Sequence, residues 1–334
     1  MQPSVKASTF EVSIQPAYQK FGKLTLSEYG FFSGVLSQLL PADNVLPYDI
    51  NSPLFSDYAL KKRFIYLPEG RTIQLGDDIL EFPVGAVLIK NFYYEDSQLA
   101  GQKGRIVETR LLIREEGGWK ALPYIWNADQ TEAYLEIAGE NFPFQLINAR
   151  DPVSYSIPTV SECKSCHEKN GAIMPIGPSV RQLNRKNTFE GKMVNQLEYF
   201  RNKGWITEGV NPATMKSLVN YEDGTAPVEL RARAYLDVNC AHCHRPEGPA
   251  KTSGLNLRFD NEDAYSLGIH KPPVAAGKGS GGLFYDIVPG KPEESILIYR
   301  MNSTDPAVMM PEIGRHLIHR EGLELVRRWI IAMD

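Results

Sequence analysis

The sequence predicts an α+β chain of several domains: an antiparallel β domain at residues 1–155, followed by two mainly α-helical units at 156–225 and 226–334. Three observations lead to this prediction. Before residue 155, apolar and polar residues alternate in short runs, which is typical of half-buried strands. After it, apolar residues recur at helical spacing. The pattern Cys-x-x-Cys-His also occurs twice in this second part of the chain.

The composition is that of an ordinary folded protein with an apolar core. The 334 residues are 43% hydrophobic and 23% charged, and the formal net charge is −4. No basic run or basic excess indicates a nucleic-acid partner. No apolar run reaches the roughly 20 residues that a membrane-spanning helix needs. The longest one, at 29–41, predicts a buried amphipathic helix that ends at Pro41.

The β domain is predicted from alternation and turn residues. Strand-like runs lie at 82–96 and 131–139. The stretch between them predicts a hairpin, in which an alternating strand at 106–114 is followed by a turn at Gly117 and Gly118 and by an aromatic return strand.

The rest of the chain is predicted to be helical and rich in loops. Pro152 and Pro158 indicate a boundary between the β domain and this second part. Apolar spacing predicts three helices, at 191–205, 227–239 and 321–333. Loops are predicted at 51–64 and in the Gly- and Pro-rich stretch 270–295.

The two cysteine patterns carry the predicted chemistry. Together they contain all four cysteines of the chain and two of its six histidines: Cys163, Cys166 and His167, then Cys240, Cys243 and His244. Cys-x-x-Cys-His is the attachment pattern of c-type haem. Its thiols bond to the two vinyl groups of the porphyrin, and its histidine becomes the proximal iron ligand. The sequence therefore predicts two c-type haems.

Three other interpretations of the cysteines were weighed. A zinc ribbon separates its two cysteine pairs by about 15–20 residues, whereas about 70 residues separate these pairs. A thioredoxin-type redox pair is expected once and in a βαβ setting. Structural disulfides would leave both histidines unexplained. Zinc and disulfides stay open as alternatives, and haem is favoured.

A distal ligand is predicted for the second haem. Met310 precedes Pro311 on a loop before the last predicted helix, about 70 residues after Cys240. A thioether held on an apolar loop suits the sixth position of haem iron. Met310 is therefore the predicted ligand, and its neighbour Met309 is the alternative.

The first haem has no equally clear distal ligand. Met215 lies about 50 residues after Cys163, at a comfortable spacing, and is the first choice. Met174 also precedes a proline but follows His167 by only seven residues. A vacant or weakly bound sixth position is the third option.

The remaining histidines and two glutamates are predicted to be ordinary residues. His242 is expected to form hydrogen bonds or to lie at a solvent edge, and the others are expected at the surface: His270, His316 and His319. Glu162 and Glu168 adjoin the first pattern and can equally be solvated.

Several stretches together resemble a family of exported bacterial dihaem c-type proteins, which have a β-rich region followed by two Cys-x-x-Cys-His units. These stretches are NSPLFSDYALKKRF, WNADQTEAYL, QLNR, RARAYLDVNCAHCH, PGKPEESILIYRM and MMPEIG, and the resemblance covers most of the chain. It implies a periplasmic or envelope location and two c-type haems more strongly than it implies an activity.

Two functions are weighed for such a chain. Electron transfer to an unknown redox partner protein is favoured, because iron ligated by both histidine and methionine has no open position. The alternative is a dihaem peroxidase or oxidase, in which the first haem is open to a small substrate. Export would require a targeting segment that is not visible at the start of this sequence, and a lipid anchor stays open.

Overall fold

The computed structural model describes residues 21–76, 78–147, 153–207, 209–274 and 276–333. Within them lie sixteen strands: β1 Phe32–Ser33, β2 Leu40–Pro41, β3 Val45–Tyr48, β4 Leu60–Tyr66, β5 Gln74–Leu75, β6 Leu80–Glu81, β7 Val87–Tyr94, β8 Arg105–Glu115, β9 Gly118–Trp126, β10 Ala133–Leu135, β11 Glu140–Phe144, β12 Val153–Ile157, β13 Glu168–Lys169, β14 Ala172–Ile173, β15 Lys186–Phe189 and β16 Lys192–Asn195.

The same residues contain seven α-helices of four to twelve residues: α1 Val160–His167, α2 Val180–Leu183, α3 Gln196–Asn202, α4 Val228–Asn239, α5 Ala264–Leu267, α6 Ile296–Met301 and α7 Arg320–Ile331. Short 3-10 helices lie at Ser27–Tyr29, Leu36–Gln38, Asp96–Gln98, Lys251–Ser253, Gly277–Ser280 and Pro292–Glu294. None of the helices in the described ranges is both long and apolar enough to cross a membrane.

A six-stranded antiparallel sheet is the largest element of the fold. Its strand order is β10–β9–β8–β7–β4–β3. The predicted hairpin is confirmed as β8 and β9, and Glu115 pairs with Gly118 across its two-residue turn. The predicted strand within 131–139 is confirmed as β10.

The two faces of this sheet differ in chemistry. Residues paired across antiparallel strands point to the same face. One face is apolar where Phe64, Ile89, Leu111 and Leu122 lie in one row, all of them buried. The other face begins with an apolar row that includes Ile65 and continues into charged rows. This second face is the one that bears on function.

The prediction of two mainly α-helical units after residue 155 is wrong. β-structure dominates the molecule, and only seven α-helices lie in the described ranges. Between residues 156 and 225 the chain forms the hairpins β13–β14 and β15–β16 as well as three short helices. Between 226 and 333 it contains two twelve-residue helices, α4 and α7, joined mostly by loops. The helices predicted at 227–239 and 321–333 are confirmed as α4 and α7, whereas the one predicted at 191–205 is reduced to α3 after strand β16.

The helix predicted at 29–41 is also wrong. This stretch contains two 3-10 turns and the short hairpin β1–β2. Gly30 and Gly34 have φ values of 69° and 70°, and Leu39 has a φ of 52°. Gly30 and Leu39 end the two helical turns after three residues each, and Gly34 lies between strand β1 and the second turn.

Two cores hold the second part of the chain. Helices α2 and α3 share a core with the central sheet, in which Leu183 and Phe200 pack with Ile65. Helices α4 and α7 form a separate core around Trp329. These two helices approach closely, because a Cβ atom at Gly322 would overlap the Tyr235 ring.

Candidate haem-attachment sites

The first cysteine pattern lies on helix α1. The helix begins with a capping box in which Thr159 and Glu162 bond each other's backbone N–H groups. Glu162 is half-buried and caps the helix. Cys163, Cys166 and His167 lie three and four residues apart, which places them on one side of this helix.

The hairpin β13–β14 determines which nitrogen of His167 carries the proton. Asn170 and Gly171 both have positive φ, as a two-residue hairpin turn requires. The hairpin brings Met174 back beside His167, and the Met174 carbonyl lies 2.8 Å from His167 Nδ1. A carbonyl only accepts hydrogen bonds, so Nδ1 carries the proton and Nε2 keeps its lone pair.

The second cysteine pattern follows helix α4 directly. The Cys240 carbonyl accepts hydrogen bonds from the N–H groups of Cys243 and His244, at 3.1 and 2.9 Å. These bonds continue the helical turn, so the two thiols and the histidine again share one side.

His244 has the same tautomer as His167, through a side chain instead of a carbonyl. Its Nδ1 lies 3.1 Å from Ser253 Oγ. The single Ser253 hydroxyl proton is donated to the Ala250 carbonyl at 2.8 Å. In this arrangement Ser253 accepts from His244, so the proton is assigned to Nδ1 and the Nε2 lone pair is free.

Burial keeps both imidazoles neutral and the thiols protonated. It is the main cause that lowers the pKa of His167 to about 3 and that of His244 to about 4. It also raises the pKa of Cys163 to about 11 and that of Cys240 to about 12. Reactive redox pairs have lowered thiol pKa values, so these thiols do not resemble a thioredoxin-type centre.

The loop that contains Met310 is fixed by two arginines. Arg300 donates to the Val308 carbonyl at 2.8 Å, and its own carbonyl accepts from the Met310 N–H at 3.1 Å. The Arg300 charge also contributes to the lowered pKa of His244, so Arg300 lies near both His244 and the segment that contains Met310.

Arg315 holds this loop from within. Its guanidinium is buried and donates to the carbonyls of Met310, Ser303 and Leu317, at 2.8, 2.9 and 3.0 Å. We call Met310 and the residues up to Leu317 the methionine loop. Met310 itself is half-buried, whereas Met309 is buried.

A loop from the N-terminal part of the chain closes over the methionine loop. The buried carboxylate of Asp57 accepts the N–H groups of His316 and Leu317, each at 2.8 Å. Asp57 has a φ of 48°, which aims its side chain at these two amides. The sequence gives no signal for this contact, because it joins two loops that lie far apart in the chain.

The same loop also buries a histidine that the sequence predicted at the surface. Phe55 stacks on the His319 ring with centroids 4.3 Å apart and an angle of 7° between planes. His319 Nδ1 lies 3.2 Å from the Tyr235 hydroxyl. His319 is therefore part of the packing between α4 and α7, which corrects the surface prediction.

The two cysteine patterns lie next to each other. The Asn170 N–H, in the first pattern's hairpin, donates to the Glu247 carbonyl after the second pattern at 3.0 Å. The Cys166 thiol contributes to the raised pKa of Cys243. His242 lies close enough to help lower the pKa of His167, and its buried Nδ1 has no hydrogen-bond partner in the described residues.

The two methionines considered for the first site have other contacts. Met215 packs against the core that contains Leu197 and Phe200. The Met174 backbone lies at the Nδ1 end of the His167 ring, away from the nitrogen that would bind iron. The ligand role of either methionine stays a prediction, and Met215 has the contacts of a core residue.

The chain matches no family model, no curated protein and no solved structure. Across the described ranges, no three His, Cys, Asp or Glu side chains converge as a set of metal ligands. A c-type haem needs two thiols and one histidine beside them, and both patterns have this arrangement.

Proposed function

We propose that the chain covalently binds two c-type haems and transfers electrons as a dihaem cytochrome. The observation that carries this proposal is the shared state of His167 and His244. Each belongs to a Cys-x-x-Cys-His pattern, is neutral, and has its proton fixed on Nδ1. Each therefore presents the Nε2 lone pair that haem iron requires.

The chain's own residues have defined roles in this proposal. Cys163 and Cys166 hold the first haem, and Cys240 and Cys243 hold the second. The Met174 carbonyl and the Ser253 hydroxyl orient the two histidines. The haems, when bound, supply one-electron chemistry at iron. Met310 would supply a thioether ligand to the second haem, from a loop that two arginines and Asp57 hold in place.

The adjacency of the two patterns supports transfer within the molecule. The hydrogen bond from Asn170 to Glu247 joins the segments that follow the two cysteine pairs. Electrons would therefore have a short path between the haems before leaving to a redox partner protein. The location proposed with this function is outside the cytoplasm, in the periplasm or envelope.

Haem content and spectra test the proposal. Pyridine haemochrome and mass measurements on the purified protein should give two haems per chain. Visible and EPR spectra of the oxidised protein should show two low-spin irons that neither cyanide nor peroxide changes. A chain without covalent haem would refute the proposal.

A dihaem oxidase or peroxidase is the second candidate, and the position of Met215 in an apolar core favours it. If the first iron has no methionine ligand, a small substrate can bind there. A high-spin component that binds cyanide would then appear in the same EPR spectrum, and it should disappear when Cys163 and Cys166 are replaced.

A further inference from the structure

A row of basic side chains crosses the centre of the main sheet. Arg63, Lys90 and Arg110 pair with one another across β4, β7 and β8. Directly paired residues point to the same face, so the three cations lie side by side. Lys61 belongs to the next row on this face. Arg63 is buried and the other three are half-buried, so four neighbouring cations need compensation.

Protein groups compensate two of these four cations. Arg110 holds Glu108 through two hydrogen bonds, at 2.5 and 2.9 Å, and Tyr155 donates to the same carboxylate. Arg63 lies 3.2 Å from an Asp49 oxygen. Both pairs are charge-assisted hydrogen bonds, which are stronger than hydrogen bonds between neutral groups. Glu108 therefore matches Arg110, whereas Asp49 is shared between Arg63 and Arg185, which lies 3.0 Å from its other carboxylate oxygen.

Neither of the two lysines pairs with a carboxylate in the described residues. Lys61 donates to the Leu54 carbonyl at 2.8 Å, a neutral partner. The ammonium of Lys90 forms neither a hydrogen bond nor an ion pair within the described residues, and the residue as a whole is half-buried. Its ammonium lies 5.3 Å from the centre of the buried Phe92 ring, which the Arg110 guanidinium also covers at 4.4 Å. A ring face compensates a cation only weakly.

This basic row lies beside the first cysteine pattern. Helix α1 and strand β14 pack against β9 of the same sheet. The Arg110 charge acts on the pKa of Cys163, and both Arg110 and Lys90 act on the pKa of Cys166. Burial and the charge of Arg110 lower the pKa of Lys90 itself to about 7. An anion placed beside the Lys90 ammonium would favour its charged form.

We propose that Lys90, with Arg63 and Arg110 beside it, forms a carboxylate-binding site next to the first cysteine pattern. The carboxylate has two possible sources: a propionate of the haem attached at Cys163 and Cys166, or a dissolved carboxylate that reaches the same place. The first source rests on the proposed function, whereas the second does not.

The test uses three variants of the full chain. Lys90→Met removes the charge at nearly constant volume, Lys90→Arg keeps it, and Lys62→Met is the matched control. Lys62 lies on the neighbouring strand but is exposed on the opposite face. Each protein is measured for haem content, for the midpoint potential of each haem, and for its melting temperature with succinate or with chloride at equal ionic strength.

A bound propionate predicts a shift in one potential. Loss of the Lys90 charge favours the more positive ferric state, so Lys90→Met should lower the midpoint potential of one haem. That haem is identified by its loss from the variant without Cys163 and Cys166. Lys90→Arg should restore most of the shift, and Lys62→Met should show none. A dissolved carboxylate instead predicts a succinate-dependent rise in wild-type melting temperature that Lys90→Met abolishes.

The outcomes separate the site from the haem proposal. Two haems with neither a potential shift nor a succinate effect would overturn the carboxylate site and leave the function standing. A succinate effect in a chain without haem would support the carboxylate site and refute the proposed haem function. A change in the axial-ligand EPR signal of Lys90→Met would mean that Lys90 binds iron, which also overturns the carboxylate site.

Discussion

The two cysteine patterns have the same local geometry but different surroundings. Around the second pattern, Met310 is held by a loop whose carbonyls are bound by the buried side chain of Arg315. Around the first, helix α1 faces a sheet that carries Lys90 and Arg110. The loop that carries Met310 lies near the second pattern, whereas basic side chains lie beside the first.

This difference indicates a division of roles between the sites. A methionine ligand raises the potential of haem iron and closes its sixth position. In the proposed function, the basic row beside the first pattern would hold a carboxylate close to the first iron, whether from propionate or from a solute. We expect the second haem to be the closed, high-potential partner. The first is expected to be the one that responds to its surroundings.

Removal of each thiol pair gives the largest expected effect. Replacement of Cys163 and Cys166 by alanine should reduce haem content from two to one per chain, because no other cysteine can replace them. Replacement of Cys240 and Cys243 should do the same for the other haem. Mass spectrometry and pyridine haemochrome absorbance measure both results. Two haems in either variant would refute the attachment scheme.

Replacement of the methionine ligand should have the next largest effect. Met310→Ala should keep both haems attached but remove the thioether-to-iron absorption band at the red end of the visible spectrum. Met215→Ala is the control: it should keep the band and lower the free energy of unfolding by about 2 kcal/mol, because its side chain packs in a core. If Met215→Ala lost the band and Met310→Ala kept it, Met215 would be the iron ligand and Met310 would not.

The close packing of α4 against α7 predicts a smaller effect, which is a loss of stability in the core next to the second cysteine pattern. Gly322→Ala places a methyl group against the Tyr235 ring and should lower the free energy of unfolding by about 1–3 kcal/mol. Denaturant titration, followed through the second haem's absorbance, measures this change. Gly224→Ala is the matched control, because nothing lies within 4 Å of its added methyl group. Equal effects in both variants would contradict the close approach.

The pH dependence of Asp57 is the smallest expected effect. Burial raises the pKa of this carboxyl group above its usual value. The folded state then holds the proton more firmly than the unfolded chain, so the contribution of Asp57 to stability is full below about pH 4 and is lost as pH rises through the folded pKa. The stability difference between wild type and Asp57→Asn should therefore fall with rising pH and then level off. Denaturant titrations across this range measure it, and a rising difference would contradict the assignment.

Local patterns in the sequence predicted the parts of the fold that depend on neighbours in the chain. The hairpin β8–β9 follows from alternation and a glycine turn, and α4 and α7 follow from apolar spacing. The stretch 29–41 has apolar content but also Gly30 and Gly34, whose left-handed backbone the helical interpretation overlooked. Apolar residues alone did not distinguish a helix from a series of turns.

The candidate sites were predictable only in their covalent part. Cys-x-x-Cys-His is a local pattern, so all six of its residues could be named from the sequence. The groups that give each site its character come from distant segments. Lys90 lies on a central strand and Asp57 on an early loop, and nothing around either residue in the sequence distinguishes it from an ordinary charged residue. Sheet register and loop closure bring them to the sites.

The contact between Asp57 and the methionine loop has a consequence for how the protein matures. The two hydrogen-bonded segments are separated by 259 residues, so the contact forms only after most of the chain has been ordered. The histidine of each pattern lies next to its own thiols and is available as soon as that segment is made. We therefore expect methionine ligation to be the last step of assembly. Its spectral band should report that the loop around Asp57 has docked on the methionine loop.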